Sequence, residues 1–505
     1  MIEGLVSPAD CFIRINTMNK YNSKLSEAEN CKVNKKWNSV FNHEMTHYLQ
    51  LITTPVGYEI RMIQQWLYSD ILTYLSGFKK IYELSDIDIG NLYKNYESEP
   101  EHRKNLREHL LNRKRELSIF QKPFYQSNHR IFYNQCFPKD VSDKYTYLRK
   151  NKPIEIDVKK SCFFLKKTGH TIYISANSIM EYMAKLVQML NDGHLKEPET
   201  IFNNLLDKRQ FHYNLPLVFL VQEGVFENPL WRLYCDLGLL PLYHLALFIN
   251  PLTITPNLVK KYNIDRVDEL LPETLFLKCL FDPELMDVSF LTTKLNDQNC
   301  LFPFKEFANN ILKNLNWPSL DELLVCFGEN INENIELATN KTLARNNINY
   351  IKRLGVNTNV LGLLPNSDSR KKQFETFRRL CTNLWDKNEY IRNPITMCKE
   401  VPNPIFFELS DEGATFFPRD QDFWDILFEY SITIGLHIGQ KILYSNELSC
   451  YNDPLGETSI INCPKINNCL SFSNKQNIEF CCYSPWRETI LKILKQFNIN
   501  YDFAN

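Results

Sequence analysis

His43-Glu44-Met45-Thr46-His47 stands inside the run Trp37-Asn38-Ser39-Val40-Phe41-Asn42-His43-Glu44-Met45-Thr46-His47-Tyr48-Leu49-Gln50-Leu51-Ile52. Its apolar members Val40, Phe41, Met45, Tyr48, Leu49 and Ile52 recur at helical spacing. No Pro or Gly interrupts the stretch from Trp37 to Thr54. An α-helix turns once in 3.6 residues, so positions 43 and 47 share one face. Two imidazoles one turn apart can grip one metal ion. Glu44, beside the first of them, stands where it can take a proton from water. The pentapeptide therefore reads as H-E-x-x-H, a zinc-binding hydrolase motif.

Working outward, Thr53-Thr54-Pro55-Val56-Gly57 supplies an exit turn, and a second helical pattern runs from Tyr58 to about Leu75. Two histidines hold catalytic zinc poorly; such sites use three protein ligands and leave one position open. Glu181, in Ser178-Ile179-Met180-Glu181-Tyr182-Met183-Ala184, is the candidate third ligand. It belongs to a helix expected from about Ser178 to Leu190, and Ala184 would let that helix approach a neighbour closely. The competing reading makes Ser178 and Glu181 a capping box, with the carboxylate serving a backbone N–H. Asp70, on the second helical pattern, is the other acid in range. An antiparallel pair of helices would place it about a turn too far along, as a polar surface group or an outer partner, and Glu59 lies too near the turn. Candidate donors to a developing oxyanion are Tyr173, His170, Tyr182 and His129. Asp236, an acid in an apolar run, can serve as outer partner to a ligating histidine, or as a helix cap.

The segment His43-Glu44-Met45-Thr46-His47-Tyr48-Leu49-Gln50, followed by Thr53-Thr54-Pro55-Val56-Gly57, resembles a set of uncharacterised bacterial H-E-x-x-H proteins. These are similar to the gluzincin branch of zinc metallopeptidases, in which Glu supplies the third ligand. Glu181-Tyr182-Met183-Ala184 looks similar to a later Glu-x-Met-Ala segment of the same proteins. The resemblance covers about the first 250 residues. It implies a zincin-like fold, a Zn²⁺ cofactor held by His43, His47 and Glu181, and peptidase activity with Glu44 as general base. The chain departs from the thermolysin pattern, because no Asn-Glu-x-x-x-Asp segment follows at short distance. It departs from the metzincin pattern too, lacking the Gly and third His after His47.

The bulk properties restrict the alternatives. A chain of 505 residues holds two or three domains and a large core. With 58 basic and 59 acidic residues the net charge is −1, so no global field recruits nucleic acid or an anionic membrane. The first residues lack the basic patch and apolar run of a secretory signal. The most apolar stretch, Leu233 to Leu252, carries Asp236, Pro241 and His244; a buried helix pair is expected there rather than a membrane span. Fifteen scattered cysteines suit thiols in a reducing, cytoplasmic setting. Cys450, Cys463, Cys469, Cys481 and Cys482 cluster near the end and can hold a second, structural zinc or remain unpaired. No P-loop, dinucleotide-binding glycine pattern or Gly-x-Ser-x-Gly elbow is present.

Further along the chain, the charged stretch 97–118 reads as a solvated helix or connection. Alternation in residues 154–175 predicts strands with a hairpin at Lys166-Lys167-Thr168-Gly169, and an edge strand there can pair with an extended peptide. Apolar helical segments follow at Pro216–Phe226 and Leu230–Ile249. Ser319 with Glu322 forms a capping box, residues 402–418 hold a hairpin around Asp411-Glu412-Gly413, and a last amphipathic helix spans Trp486 to Phe497. The expected class is mainly α with a small β element (α+β). Residues 1–255 form a zincin-like metallohydrolase domain, and 256–505 a mostly helical region that can carry a protein partner. The expected function is a zinc peptidase acting on a peptide or protein. The alternatives are a zinc hydrolase of another substrate and a non-catalytic zinc-binding or scaffold protein.

Overall fold

The computed structural model describes residues 3–6, 13–16, 27–63, 152–192, 211–227, 234–249, 256–263, 270–286, 304–335, 406–410 and 413–417. Isolated positions within 104–112 and at 150 are also described. The stretch 64–75, most of the charged stretch 97–118, the tail cysteines and the segment Trp486–Phe497 lie outside these residues. The described part is mostly helical with a three-stranded antiparallel sheet and a four-stranded mixed sheet, in keeping with the mainly α class with a small β element.

The chain divides into two compact units, one made of 1–40, 60–118 and 402–505, the other of 41–59 and 119–401. In the first, β1 (Glu3–Val6), β2 (Ile13–Asn16), β6 (Phe406–Ser410) and β7 (Gly413–Phe417) form one sheet in the order β1-β2-β6-β7. The β6–β7 hairpin sits where Asp411-Glu412-Gly413 predicts it, with Ser410 opposite Gly413. The parallel pairing of β2 with β6 was not anticipated from the local pattern. It joins segments almost the whole chain apart.

The second unit holds the H-E-x-x-H motif. Helix α1 spans Glu27–Thr53, longer at its start than the apolar periodicity indicates. From Phe41 onward it is buried nearly all round, and only positions 43 and 47 of the run 41–53 are partly exposed. The threonines survive there because their hydroxyls are satisfied by the preceding turn. Thr46 Oγ1 donates to the Asn42 carbonyl (2.8 Å), Thr53 Oγ1 to Leu49 (2.6 Å) and Thr54 Oγ1 to Gln50 (2.7 Å).

The expected exit turn is tighter than the sequence suggests. The helix breaks only at Thr54, and α2 (residues 55–63) begins at Pro55, where a missing N–H costs nothing. Gly57 is therefore inside α2, not in a loop. A Cβ at Gly57 would lie 2.2 Å from the Gln50 carbonyl oxygen and 2.6 Å from Leu51 Cα, both backbone atoms that cannot swing aside. Gly57→Ala is expected to cost at least the 1–3 kcal/mol of ordinary overpacking, read as a lower midpoint in urea unfolding. An unchanged midpoint would mean that the helix ends separate freely.

Strands β3 (Ile154–Asp157), β4 (Cys162–Leu165) and β5 (His170–Tyr173) form an antiparallel meander, two hairpins where one was expected. Gly169, at φ +70°, supplies the left-handed residue of the second turn, and its N–H donates to the Leu165 carbonyl at 2.9 Å. Ile154, Phe163, Leu165 and Ile172 are buried on the sheet's inner side. The free edge of β3 is met by Gln222, whose amide both donates to and accepts from the Ile154 backbone at 2.7 and 2.9 Å.

Helix α3 (Ala176–Asn191) leaves β5 directly. It packs on the helices Leu240–Ala246 and Pro272–Phe281 and on the 3-10 turn Phe211–Asn214. The helix Leu240–Ala246 also packs on Phe304–Asn314, so helices on both sides of residue 255 share this unit. The apolar stretch expected to be a helix pair is one helical run: a π-helical segment, Tyr234–Leu239, passes straight into Leu240–Ala246. Pro241 falls in the first turn of that α segment, so it starts the new winding without breaking the chain into two helices. The Val56 N–H donates to Leu247 O at 3.1 Å, tying α2 to the end of this run. Tyr58 meets Phe327 of the helix Leu320–Ile335 edge-on, ring centroids 5.7 Å apart. That helix starts with the expected capping box: the Glu322 N–H donates to Ser319 Oγ (3.3 Å) and the Ser319 N–H to Glu322 Oε2 (2.9 Å). Among the described residues no helix is long and apolar enough to cross a membrane.

Candidate metal centre

The helical spacing of the motif puts both imidazoles on one side of α1, with Nε2 of His43 and Nε2 of His47 3.1 Å apart and the rings nearly perpendicular (83°). From α3, Glu181 brings Oε2 to 3.4 Å from His43 Nε2 and 3.5 Å from His47 Nε2. The third acid is thus the one the sequence favours. The competing capping role is overturned, because the helix starts two residues earlier than expected. Ser175 is the N-cap: the Ser178 N–H donates to Ser175 Oγ and the Ser175 N–H to Ser178 Oγ, both at 3.2 Å. Glu181 sits a turn further in, leaving its carboxylate for the histidines. The signal was present as Ser175-x-x-Ser178, a box closed by Ser rather than Glu.

The spacing suits a small metal ion. A tetrahedral ion with bonds of about 2.0–2.1 Å sets its ligand atoms about 3.3–3.4 Å apart. The three edges here are 3.1, 3.4 and 3.5 Å. The donor chemistry agrees: two imidazole nitrogens and one carboxylate oxygen form a known three-ligand set with one position left. His43, His47 and Glu181 can therefore hold a metal ion. Solvent reaches all three, since their side chains keep 17, 12 and 20 % of their surface.

Electrostatics make the same demand for positive charge. Burial alone would lower the pKa of His47, but the Glu181 carboxylate beside it and its bonds to Glu181 and Gln50 outweigh this, and the ring is pushed up to about 9. Burial also opposes ionisation of Glu181, yet His47 and the bonds from both histidines hold its carboxyl well below the usual carboxylate range. His43 goes the other way, lowered by burial in spite of its bond to Glu181. Metal-free protein thus keeps a proton on His47, at the point where an ion would put its charge.

Glu44 is 5 % exposed, and burial pushes its carboxyl up to about 8; His47 pulls it down and Glu181 pushes it up. His47 Nδ1 meets Gln50 Oε1 at 2.9 Å, and Gln50 Nε2 donates to the Met180 carbonyl at 3.0 Å. Gln50 is a residue that motif reading passes over, although it stands three positions after His47, within reach on the same helix face. Lys185, one turn beyond Glu181, is buried, donates to Gln188 Oε1 at 3.1 Å, and its charge disfavours protonation of His43.

The other candidates fall differently. Tyr182 is fully buried, its ring packed with Tyr243 and Phe276 at centroid distances of 6.3 Å, so it is a core residue facing away from solvent. His170 and Tyr173 lie exposed on β5, the strand that leads into α3. Asp236 belongs to the π-helical segment, and its side chain lies outside the described residues, as do Asp70 and His129. Glu59 stays out of the metal-ligand group, its carboxyl pushed up to about 8 by burial. Comparison with protein-family models, with curated proteins and with solved structures finds no match to this chain.

Proposed function

We propose that the protein is a zinc-dependent hydrolase, most simply a peptidase with a zincin-like arrangement of α1 and α3. The observation that carries this reading is the triangle of His43, His47 and Glu181, with a carboxylate, Glu44, next to it in the chain. Zinc in that position would act as a Lewis acid, polarising a carbonyl and acidifying water. The chain's own residues do the rest. His43 and His47 present Nε2, and Glu181 presents Oε2, leaving one side open to solvent. Glu44 takes the proton of the attacking water on its carboxylate and returns it to the departing amine. That role needs the carboxyl ionised: burial raises it to about 8, and the charge of a zinc ion at the three ligands would pull it back down. Zinc is preferred over harder ions because two of three donors are imidazoles.

A peptide substrate is our choice because β5, the strand that leads directly into α3, ends its sheet. β5 ends the order β3-β4-β5, and its backbone can pair with an extended chain. Among the described residues, His170 and Tyr173, exposed on that strand, are the candidates for a donor to the developing oxyanion.

Two measurements test the proposal. Metal analysis of protein purified without chelator is expected to give about one zinc per chain, plus another only if the cysteine-rich tail binds one. A peptide library incubated with the protein is expected to show cleavage that a chelator stops and added zinc restores. Metal-free protein that fails to take up zinc would end the reading. Zinc uptake without cleavage of any peptide would leave the centre as a binding or scaffold element.

A further inference from the structure

We propose that Gln50 is the positioning residue of this metal centre, fixing the tautomer of His47 and tying that ring to the helix that carries Glu181. The inference rests on the reading of His43, His47 and Glu181 as metal ligands. The argument is one of donors and acceptors. The Met180 carbonyl can only accept, so the group 3.0 Å from it on Gln50 must be the NH₂ end. That orientation leaves the amide oxygen, which can also only accept, 2.9 Å from His47 Nδ1. Nδ1 must then carry the hydrogen, so that once the ring is neutral Nε2, facing His43 and Glu181, is the nitrogen left with its lone pair for a metal. A peptide carbonyl on α3 thus decides, through one amide, which nitrogen of a ring on α1 binds the ion.

Gln50 is itself held on every side. It is 1 % exposed. Its own carbonyl accepts from both the N–H and the hydroxyl of Thr54, at 3.2 and 2.7 Å, and Gly57 lies against that same carbonyl. The Gly57 N–H in turn donates to the Thr54 hydroxyl at 3.0 Å. The sequence Gln50, Thr54 and Gly57 after the motif is therefore one device: a tight helix junction that fixes a backbone so that its side chain can index two helices. Met180 directly precedes Glu181, so the link acts beside the third ligand. His43 has no matching support; among the described residues its buried Nδ1 has no hydrogen-bond partner. His47 is the ring held in register.

The test titrates Zn²⁺ against a competing chelator with full-length wild type, Gln50→Ala, Gln50→Glu and His47→Ala. Gln50→Ala is expected to weaken zinc binding by about 10–100-fold, the range for loss of an outer partner. Gln50→Glu, in its ionised form, keeps an acceptor toward His47 Nδ1 but cannot donate to Met180. It is expected to recover most of the affinity while melting as low as Gln50→Ala, which separates positioning from plain stability. On metal-free wild type, ring ¹⁵N spectra at a pH where His47 is neutral are expected to show the hydrogen on Nδ1. Wild-type affinity in Gln50→Ala, a Gln50→Glu no better than Gln50→Ala, or a hydrogen on Nε2 would each overturn the proposal. The metal reading fails separately, if wild type binds zinc no better than His47→Ala; the tautomer spectrum still decides the role of Gln50 in that case.

Discussion

On the proposed reading, Glu44→Gln is expected to retain zinc and to lose hydrolysis by about 10²–10⁴-fold, the usual contribution of a general base. Gln has nearly the shape of Glu, so packing around this buried position is preserved. What it lacks is a site of the right basicity to accept a proton. The substitution is also expected to be kind to the fold. Burial raises the Glu44 carboxyl to about 8 from an ordinary 4.5, so the folded protein binds that proton more tightly than the unfolded chain does. The advantage is complete below about pH 4.5 and is lost as the pH rises through about 8. Metal-free wild type therefore grows less stable across that range through this residue. Glu44→Gln, always neutral, escapes the loss. Its melting temperature relative to wild type rises with pH, while its activity is gone at every pH. Activity retained in Glu44→Gln would remove the assigned base, and zinc lost together with activity would recast Glu44 as part of the metal's support.

How much of this was legible in the sequence depends on distance along the chain. The α1 face was readable because its information is local: two histidines four apart, in a run without Pro or Gly. The β3-β4-β5 alternation and the Ser319 cap are local too, and both appear where expected. Glu181 was only half readable. Its helix could be seen, but the capping alternative was settled by a start two residues earlier, at a box of two serines. Gln50 was missed because its role spans 130 positions: only the contact with Met180 distinguishes it from any polar residue on a helix. The same reason hid the β2–β6 pairing. The burial of α1 from Phe41 onward was hidden by Thr46, Thr53 and the following Thr54, which look polar in sequence but spend their hydroxyls on the preceding turn.

Removing the third ligand gives the other large effect. Glu181→Ala is expected to lower zinc affinity by more than the roughly 10–100-fold typical of an outer partner, since a direct ligand goes. The metal-free protein carries a second signature. The pKa of His47 is raised, from 6.5 to about 9, so the stability it contributes is full below about pH 6.5 and is lost as the pH climbs through about 9. Glu181 is depressed, so its contribution is full above about pH 4.5 and is lost only as the pH falls well below that. Together they stabilise metal-free wild type most between about pH 4.5 and 6.5. Zinc and the proton on His47 compete for one place. At a fixed zinc concentration the rise in melting temperature is therefore small near pH 6 and grows toward pH 9. Where zinc reaches about 100 times its Kd, the gain amounts to about 2.7 kcal/mol. Glu181→Ala is expected to remove the His47 contribution from the metal-free profile, leaving the slope due to Glu44, and to erase the zinc-dependent rise together, because one carboxylate holds both the proton and the ion. A variant that lost the first and kept the second would show that zinc binds elsewhere, and the centre between α1 and α3 would then be a buried ion pair.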